Sequence, residues 1–422
     1  MMRDFYKTIN NCRVCDSADL TQVVKIEDQY LSPTFVETND GNPLSQIKVP
    51  HTLVLCGGCG LLQLIETVQA DLLYKQYFYR SAISDTMRRD LYYVVDDVIG
   101  RVNLEQGDVV VDIGANDCTM VSRYPEHCDR IAVEPAENIN WDHVDESINI
   151  INDYFSGKAI KTALKNRKVK IFTSCAMFYD LDDPNSFVSD IKNTLHEEGV
   201  YCIQLSYLPA MLRNINFYDI CNEHLEYYSL HTLNYLMKQN GLEIFDASEN
   251  EVNGGSVRVM ITHLERNLDK TDNFNSLMEI EKQMNLFDKQ TYINFYEKIL
   301  ELKNKIKDII DTELKNGNTV LGLGASTKGN MLLQLFGFGK ETIPYISERN
   351  PEKVGLKTLG TDIELISEER ARDLDPSYML VLPWYFKDEI VDREKEYILN
   401  GGKLLFPMPY PHVVHREGET KL

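Results

Sequence analysis

The chain has 422 residues and a formal net charge of -21, from 44 Lys+Arg against 65 Asp+Glu. That excess of acid argues against general nucleic-acid binding and against docking on an anionic membrane, yet a few local arginines would still hold a small anionic substrate. No apolar run approaches the roughly 20 residues of a membrane span, and the polar start, Met1 to Asn11, lacks the apolar core of a signal peptide. The length accommodates two to four domains. Nine cysteines, four of them in CxxC pairs, suit a reducing cytoplasm.

The first element is metal-binding in character. Cys12 and Cys15 form one thiolate pair; Cys56 and Cys59 form a second inside the glycine-rich knuckle Cys56-Gly57-Gly58-Cys59-Gly60. Two such pairs complete a tetrahedral sulfur shell for structural Zn²⁺. Disulfides or free thiols are the competing reading. The 40 residues between the pairs include strand-like runs at Leu20–Ile26 and Thr52–Leu55, so a β-rich excursion is expected. Behind it, Leu73 to Ser81 gathers Tyr74, Tyr77, Tyr79 and Arg80, either lining a pocket and gripping phosphate or packing a domain joint.

Next, Asp108–Ile113 reads as a buried parallel strand entering the turn at Gly114, with a helix-like segment after Cys118. Arg130–Val133 reads as the second strand and ends in Glu134, 20 residues after Gly114, the spacing at which an acid meets ribose hydroxyls. The second and third glycines of a dinucleotide fingerprint are absent. This D-x-G-x-N-D turn resembles the first motif of class I S-adenosylmethionine methyltransferases. Strands at Val169–Ser174 and Val200–Leu205, with a helix over Asn185–Leu195 between them, continue the alternation of a doubly wound sheet.

The stretch from Phe217 to Ser229 carries His224, Glu223, Glu226 and three tyrosines without a helix or strand period. Histidine titrates near neutrality and can take a proton from a weak carbon acid, and phenols can support an oxyanion. A polar loop with a merely structural histidine is the bland alternative. Three segments, Ser174–Pro184, Gln204–Pro209 and Cys221–Leu230, resemble the nucleotide-deoxysugar C-methyltransferase family over essentially the whole chain. The resemblance implies methylation of carbon 3 of a dTDP-linked 4-keto-6-deoxy sugar, with Glu223-His224 matching the family's E-H pair and His224 as base. The tyrosine that some members carry three places before that histidine is Cys221 here, which leaves Tyr77, Tyr79 and Tyr227 as candidate phenols. Asn222 stands where a second histidine is often found.

Asn253-Gly254-Gly255-Ser256 makes a turn beside a strand over Val257–Thr262. From about Asn275 to Lys315 the pattern is one long amphipathic helix, with Tyr292, Phe295, Ile299, Leu302, Ile306 and Ile309 on the apolar face. A second glycine turn follows, Val320 to Asn330, with Ser326, Thr327 and Lys328 near its amides and no acid at the right distance in a clear second strand. Ser347–Lys353 reads as a basic-polar loop, and Met379–Phe386 as a strand ending in aromatics able to stack on a base.

The expected fold is α/β: a Rossmann-like class I methyltransferase domain (81–265) and a second Rossmann-like α/β unit (266–422), behind a small β-rich zinc-binding domain (1–80). The expected activity is an S-adenosylmethionine-dependent C-methyltransferase acting on a nucleotide sugar carried by dTDP or GDP. The expected cofactor contacts are Asp112, Gly114, Asn116, Glu134, Pro135, Phe155 and Ser174. For catalysis they are His224, Glu223, Tyr77 and Tyr79; for substrate, Tyr207, Asn253, Ser256, Lys328, Arg349, Lys353 and Trp384; for zinc, the four paired cysteines. A monomer, with at most a weak dimer, is expected. Rival readings are an O- or N-methyltransferase on a nucleotide sugar, an NAD-dependent oxidoreductase using the second turn, and a non-catalytic zinc-ribbon interaction module.

Overall fold

The computed structural model describes residues 5–165 and 167–422, so the first four residues of the polar N-terminal lead lie outside the described residues. Strands Leu20–Tyr30, Lys48–Cys56 and Leu62–Leu64 form the expected β-rich excursion around the cysteine knuckle. Their sheet has a fourth strand, Glu226–Tyr227, from the middle of the chain. Glu226 pairs with Gln63 and Tyr227 with Leu62, so the stretch that reads as an aperiodic loop is stitched to the cysteine module. A two-residue strand has no period to detect.

The middle sheet runs, in spatial order, Leu242–Asn250, Ser256–His263, Leu195–Ser206, Val169–Cys175, Val109–Ile113, Asp129–Val133 and Asn149–Ile151. The last five are parallel and Ser256–His263 is antiparallel to Leu195–Ser206. The chain leaves Val109–Ile113 for one neighbour and returns on its other side, which opens a crevice at the carboxyl ends of these strands. One expectation fails beside it. No α-helix follows Gly114; the connection is a turn and a short 3₁₀ segment, Val121–Arg123. Asn116 and Cys118 hold φ of 49° and 65°, left-handed conformations that a continuous helix cannot contain.

The expected single helix from Asn275 is two helices, Asp272–Gln283 and Lys289–Lys315. Asn285 at φ 52° makes the break, and the Asp288 side chain caps the second helix by accepting from the Gln290 amide at 2.9 Å. That helix buries Tyr292, Phe295, Ile299, Leu302 and Ile306 as the spacing requires, with Ile310 rather than Ile309 as its last fully buried position. It packs on Leu20–Tyr30 and leads into a nine-stranded sheet whose parallel strands are Val320–Leu323, Tyr345–Glu348, Glu364–Ser367, Tyr378–Val381 and Lys403–Phe406. Strand Phe35–Val36 of the N-terminal module closes one edge by pairing with Lys357–Thr358. The carboxyl ends of the two parallel sheets face one another across a cavity of about 780 Å³, lined from both sides. Among the described residues no helix is long and apolar enough to cross a membrane.

Candidate active site

The four paired cysteines converge. Their sulfurs all lie within 4.8 Å of one another, with Cys12 and Cys59 3.6 Å apart and Cys15 and Cys56 3.4 Å apart. A tetrahedral Zn–S₄ centre with bonds of about 2.3 Å needs sulfurs about 3.8 Å apart, so the donor set fits the ion. A Cβ on Gly58 would stand 3.1 Å from the Cys15 sulfur, which explains glycine in the knuckle. The crowding also shows in the thiols: Cys12 is pulled down to about 5 by the hydrogen bond from Cys59, whose own thiol is pushed up, and burial pushes Cys15 up to about 11. A dication would displace those protons. None of the four lines the cavity.

At the first glycine turn, Gly114 has φ 72° and its amide donates to the Val133 carbonyl at 2.9 Å. Both oxygens of Glu134 accept backbone amides, Oε2 from Asn116 at 2.8 Å and Oε1 from Ala136 at 2.9 Å. The side chain of Asn116 reaches outward, accepting from the Ser81 amide at 3.0 Å and donating to the Tyr79 carbonyl at 3.0 Å. The tyrosine-rich segment is therefore tied to the turn and forms its outer wall. Gly114, Asn116, Glu134, Pro135 and Phe155 all line the cavity. Acid for ribose hydroxyls, apolar surface for adenine and a negative rim for a sulfonium are together here, so the residues fit S-adenosylmethionine.

The Phe217–Ser229 stretch crosses the same cavity, held by the Leu225 amide, which donates to the Tyr179 carbonyl at 2.8 Å, and by the Leu64 amide, which donates to the Leu225 carbonyl at 2.9 Å. His224 and Glu223 both line the cavity but face different partners. The imidazole packs on Tyr179, ring centroids 4.0 Å apart, and burial with the nearby Lys328 ammonium holds its pKa well below the usual histidine range. The imidazole is therefore held in its neutral form. Glu223 turns to the Thr327 hydroxyl at the start of helix Thr327–Phe336; burial pushes its carboxyl up to about 7. Tyr77 and Tyr79 line the cavity, whereas the Tyr227 hydroxyl donates to the His224 carbonyl at 3.1 Å and Cys221 is buried off the wall.

The second glycine turn repeats the first. Gly324 has φ 80° and its amide donates to the Ser347 carbonyl at 2.8 Å. Glu348 accepts the Ala325 amide on Oε2 at 2.9 Å and the Asn350 amide on Oε1 at 2.8 Å. The acid that the spacing failed to reveal is thus present, at the end of the four-residue strand Tyr345–Glu348. Its cations are engaged: the Lys353 ammonium donates to the Ala325 carbonyl at 2.9 Å and stands 3.9 Å from Glu348, and Arg349 pairs with Glu389 at 2.9 Å. Lys328, expected as a free phosphate donor, is in a buried 2.5 Å ion pair with Asp219 and also donates to the Asn253 carbonyl at 3.3 Å.

Three family models match the chain in series: a zinc binding domain over residues 12–74, a methyltransferase domain over 87–247, and a C-methyltransferase C-terminal domain over 251–409. The chain is an S-adenosylmethionine-dependent C-methyltransferase. The C-methyltransferase NovU of Streptomyces niveus is 27% identical over 418 residues, which span 99% of each protein. Solved structures similar to part of the C-methyltransferase include an S-adenosylmethionine-dependent methyltransferase from Clostridium acetobutylicum (12% identity, 43% of this chain and 93% of that one, TM-score 0.34). Another is a SAM-dependent methyltransferase from Aquifex aeolicus (16% identity, 43% and 94%, TM-score 0.32).

Five expected contacts of the C-methyltransferase lie off the cavity wall. Asp112 sits beneath the first turn, taking the Thr173 hydroxyl at 3.0 Å, with burial pushing it up to about 8. Ser174 is fully buried against the Tyr201 hydroxyl at 2.8 Å, because its strand faces that side chain into the core. The Tyr207 hydroxyl donates to Glu281 at 2.8 Å behind the site, and Ser256 donates to the Val252 carbonyl at 2.8 Å. Trp384 packs on Gly254, leaving Tyr385 and Phe386 as the aromatics on the wall. Asn253, Lys328, Arg349 and Lys353 do line it. Thr327, expected only beside the amides of the second turn, lines it as the partner of Glu223, and Tyr179 and Asp180, for which the sequence suggested no role, line it too; only the position of Asp180 at the carboxyl end of a central strand was an available signal.

Proposed function

We propose that this C-methyltransferase methylates carbon 3 of a nucleotide-linked 4-keto-6-deoxy sugar, carried by dTDP, in branched deoxysugar biosynthesis. The observation that carries the reading is a neutral histidine on the wall of one cavity shared by two nucleoside-type turns. Glu134 and the Gly114 turn would hold S-adenosylmethionine, which supplies a sulfonium methyl open to attack by an electron-rich carbon. The second turn, with Arg349, Lys353 and nearby Arg80, would receive the nucleoside diphosphate, and Tyr385 or Phe386 its base. The sugar then lies between them, under His224. A 4-keto group acidifies the hydrogen on carbon 3, and His224 removes it; Glu223, bonded to Thr327, anchors the stretch carrying His224 against the second unit. Tyr77 and Tyr79 are phenols on the same wall. The protein would work in a reducing cytoplasm, as a monomer.

The test is incubation with S-adenosylmethionine and dTDP-4-keto-6-deoxyglucose in D₂O, followed by mass and proton spectra of the product. Gain of one methyl with loss of the carbon 3 proton supports the reading. Methylation with that proton retained would falsify carbon 3 as the site.

A further inference from the structure

Among the cavity-wall acids that no step above uses, Asp180 stands beside the Glu223-His224 pair. Asp180 closes the 3₁₀ turn Phe178–Asp180, directly beyond the carboxyl end of the central strand Val169–Cys175. It lines the cavity beside Glu223 and His224. Its Oδ1 is closed off from solvent and has no hydrogen-bond partner. An ionised carboxylate in that position would bury charge on an oxygen with no partner, which a neutral acid avoids. Of the groups around it, only the Tyr74 hydroxyl, hydrogen-bonded to the carboxyl, favours ionisation, and burial with the neighbouring acids outweighs it. Glu223, Glu226 and Cys221 approach from the Phe217–Ser229 stretch, Tyr74 and Tyr77 from the tyrosine-rich segment, and Tyr179 adjoins it; the acids repel negative charge, and among the described residues no cation stands with them. Burial first, then Glu223 and Glu226, raise the carboxyl well above its usual range.

We infer that Asp180 is a further catalytic residue, a neutral carboxylic acid that donates a hydrogen bond to the substrate carbonyl oxygen while His224 takes the proton from the carbon beside it. The role rests on the keto-sugar reading above. In this step the C–H bond breaks and its proton goes to the imidazole. Its electron pair becomes the carbon–carbon double bond, and the carbonyl π pair moves to oxygen, where the Asp180 O–H meets it. A carboxylic acid donor at an apolar wall is a stronger partner for an enolate oxygen than a phenol, because its proton is more acidic. Cys221 cannot serve, being a buried thiol off the wall.

The experiment uses the full-length zinc-loaded protein with dTDP-4-keto-6-deoxyglucose and S-adenosylhomocysteine in D₂O, following loss of the carbon 3 proton signal from neutral to alkaline pH. The wild-type rate should fall on the alkaline side, since the donor proton is lost as pH rises. Asp180→Asn should bind cofactor within about twofold, exchange about 10²–10³-fold more slowly, and lack that alkaline fall. An infrared difference spectrum between wild type and Asp180→Asn at neutral pH should show a protonated carboxyl band. Exchange within about twofold of wild type, persistence of the alkaline fall, loss of cofactor binding in the variant, or absence of the carboxyl band each overturns the role of Asp180. Wild-type protein that does not exchange at all removes the keto-sugar reading and this role with it; normal wild type beside an unaffected variant removes this role alone.

Discussion

The two glycine turns share a backbone and differ in charge. In each, a left-handed glycine donates to the carbonyl preceding the acid of the next strand, and that acid accepts two backbone amides, Glu134 in the first turn and Glu348 in the second. Around the first, Asp117 and Glu134 are bonded to amides and a threonine hydroxyl. Around the second, Lys353 sits against Glu348, Arg349 against Glu389 and Lys328 against Asp219. One frame is therefore net negative and the other close to neutral with ammonium and guanidinium groups at hand. A duplicated scaffold can take a cationic cofactor at one end and an anionic substrate at the other when the side chains alone change. Glycine spacing predicts the frame; the ligand is chosen by what surrounds the acid.

The sharpest way to separate chemistry from either turn is His224→Asn. Turnover should fall by about 10²–10⁴-fold while titration calorimetry shows S-adenosylmethionine and nucleotide-sugar affinities within about threefold. A smaller effect is expected when the twin acids are removed in turn. Glu134→Ala should weaken S-adenosylmethionine by about 10–100-fold, whereas Glu348→Ala should leave that affinity unchanged and lower the thermal midpoint, because it strips a buried partner from two amides. Equal loss of cofactor from both variants would break the contrast. Next, Lys353→Met should raise KM for the nucleotide sugar about tenfold and weaken its salt dependence, with the cofactor constant unmoved. The mildest effect is on stability against pH. Asp112 is held at about 8 in the folded chain, above its unfolded value, so the folded state binds the extra proton. Stability from this group is therefore greatest below the unfolded carboxylate range and declines as pH rises towards about 8. The slope is at most about 1.4 kcal/mol per pH unit. Asp112→Asn should flatten it in denaturant midpoints collected across that window.

Much of this architecture is legible locally. The two CxxC pairs, the buried strand running into Gly114 and the acid closing the next strand each depend on residues near one another, and the structure brings them together as spacing requires. What spacing hides is contact between distant segments. Lys328 reads as a phosphate donor until Asp219 is found against it, and Glu348 reads as part of a loop because its strand is four residues long. Helix propensity after Cys118 yields to two left-handed residues that only the fold demands, and a long apolar stripe conceals the break at Asn285. At the site, His224 and Glu223 are conspicuous as a pair, while Asp180 gains meaning only from the unpartnered oxygen it presents among other acids.

The edge strand Phe35–Val36 also bears on how the chain is made. Its hydrogen-bonding partner, Lys357–Thr358, leaves the ribosome more than 300 residues later. At roughly 5–20 residues per second, the early strand waits on the order of 15–60 seconds with its edge open. The N-terminal module must therefore survive as a partly assembled unit through most of translation, and its last sheet contact is made only when the C-terminal strands emerge.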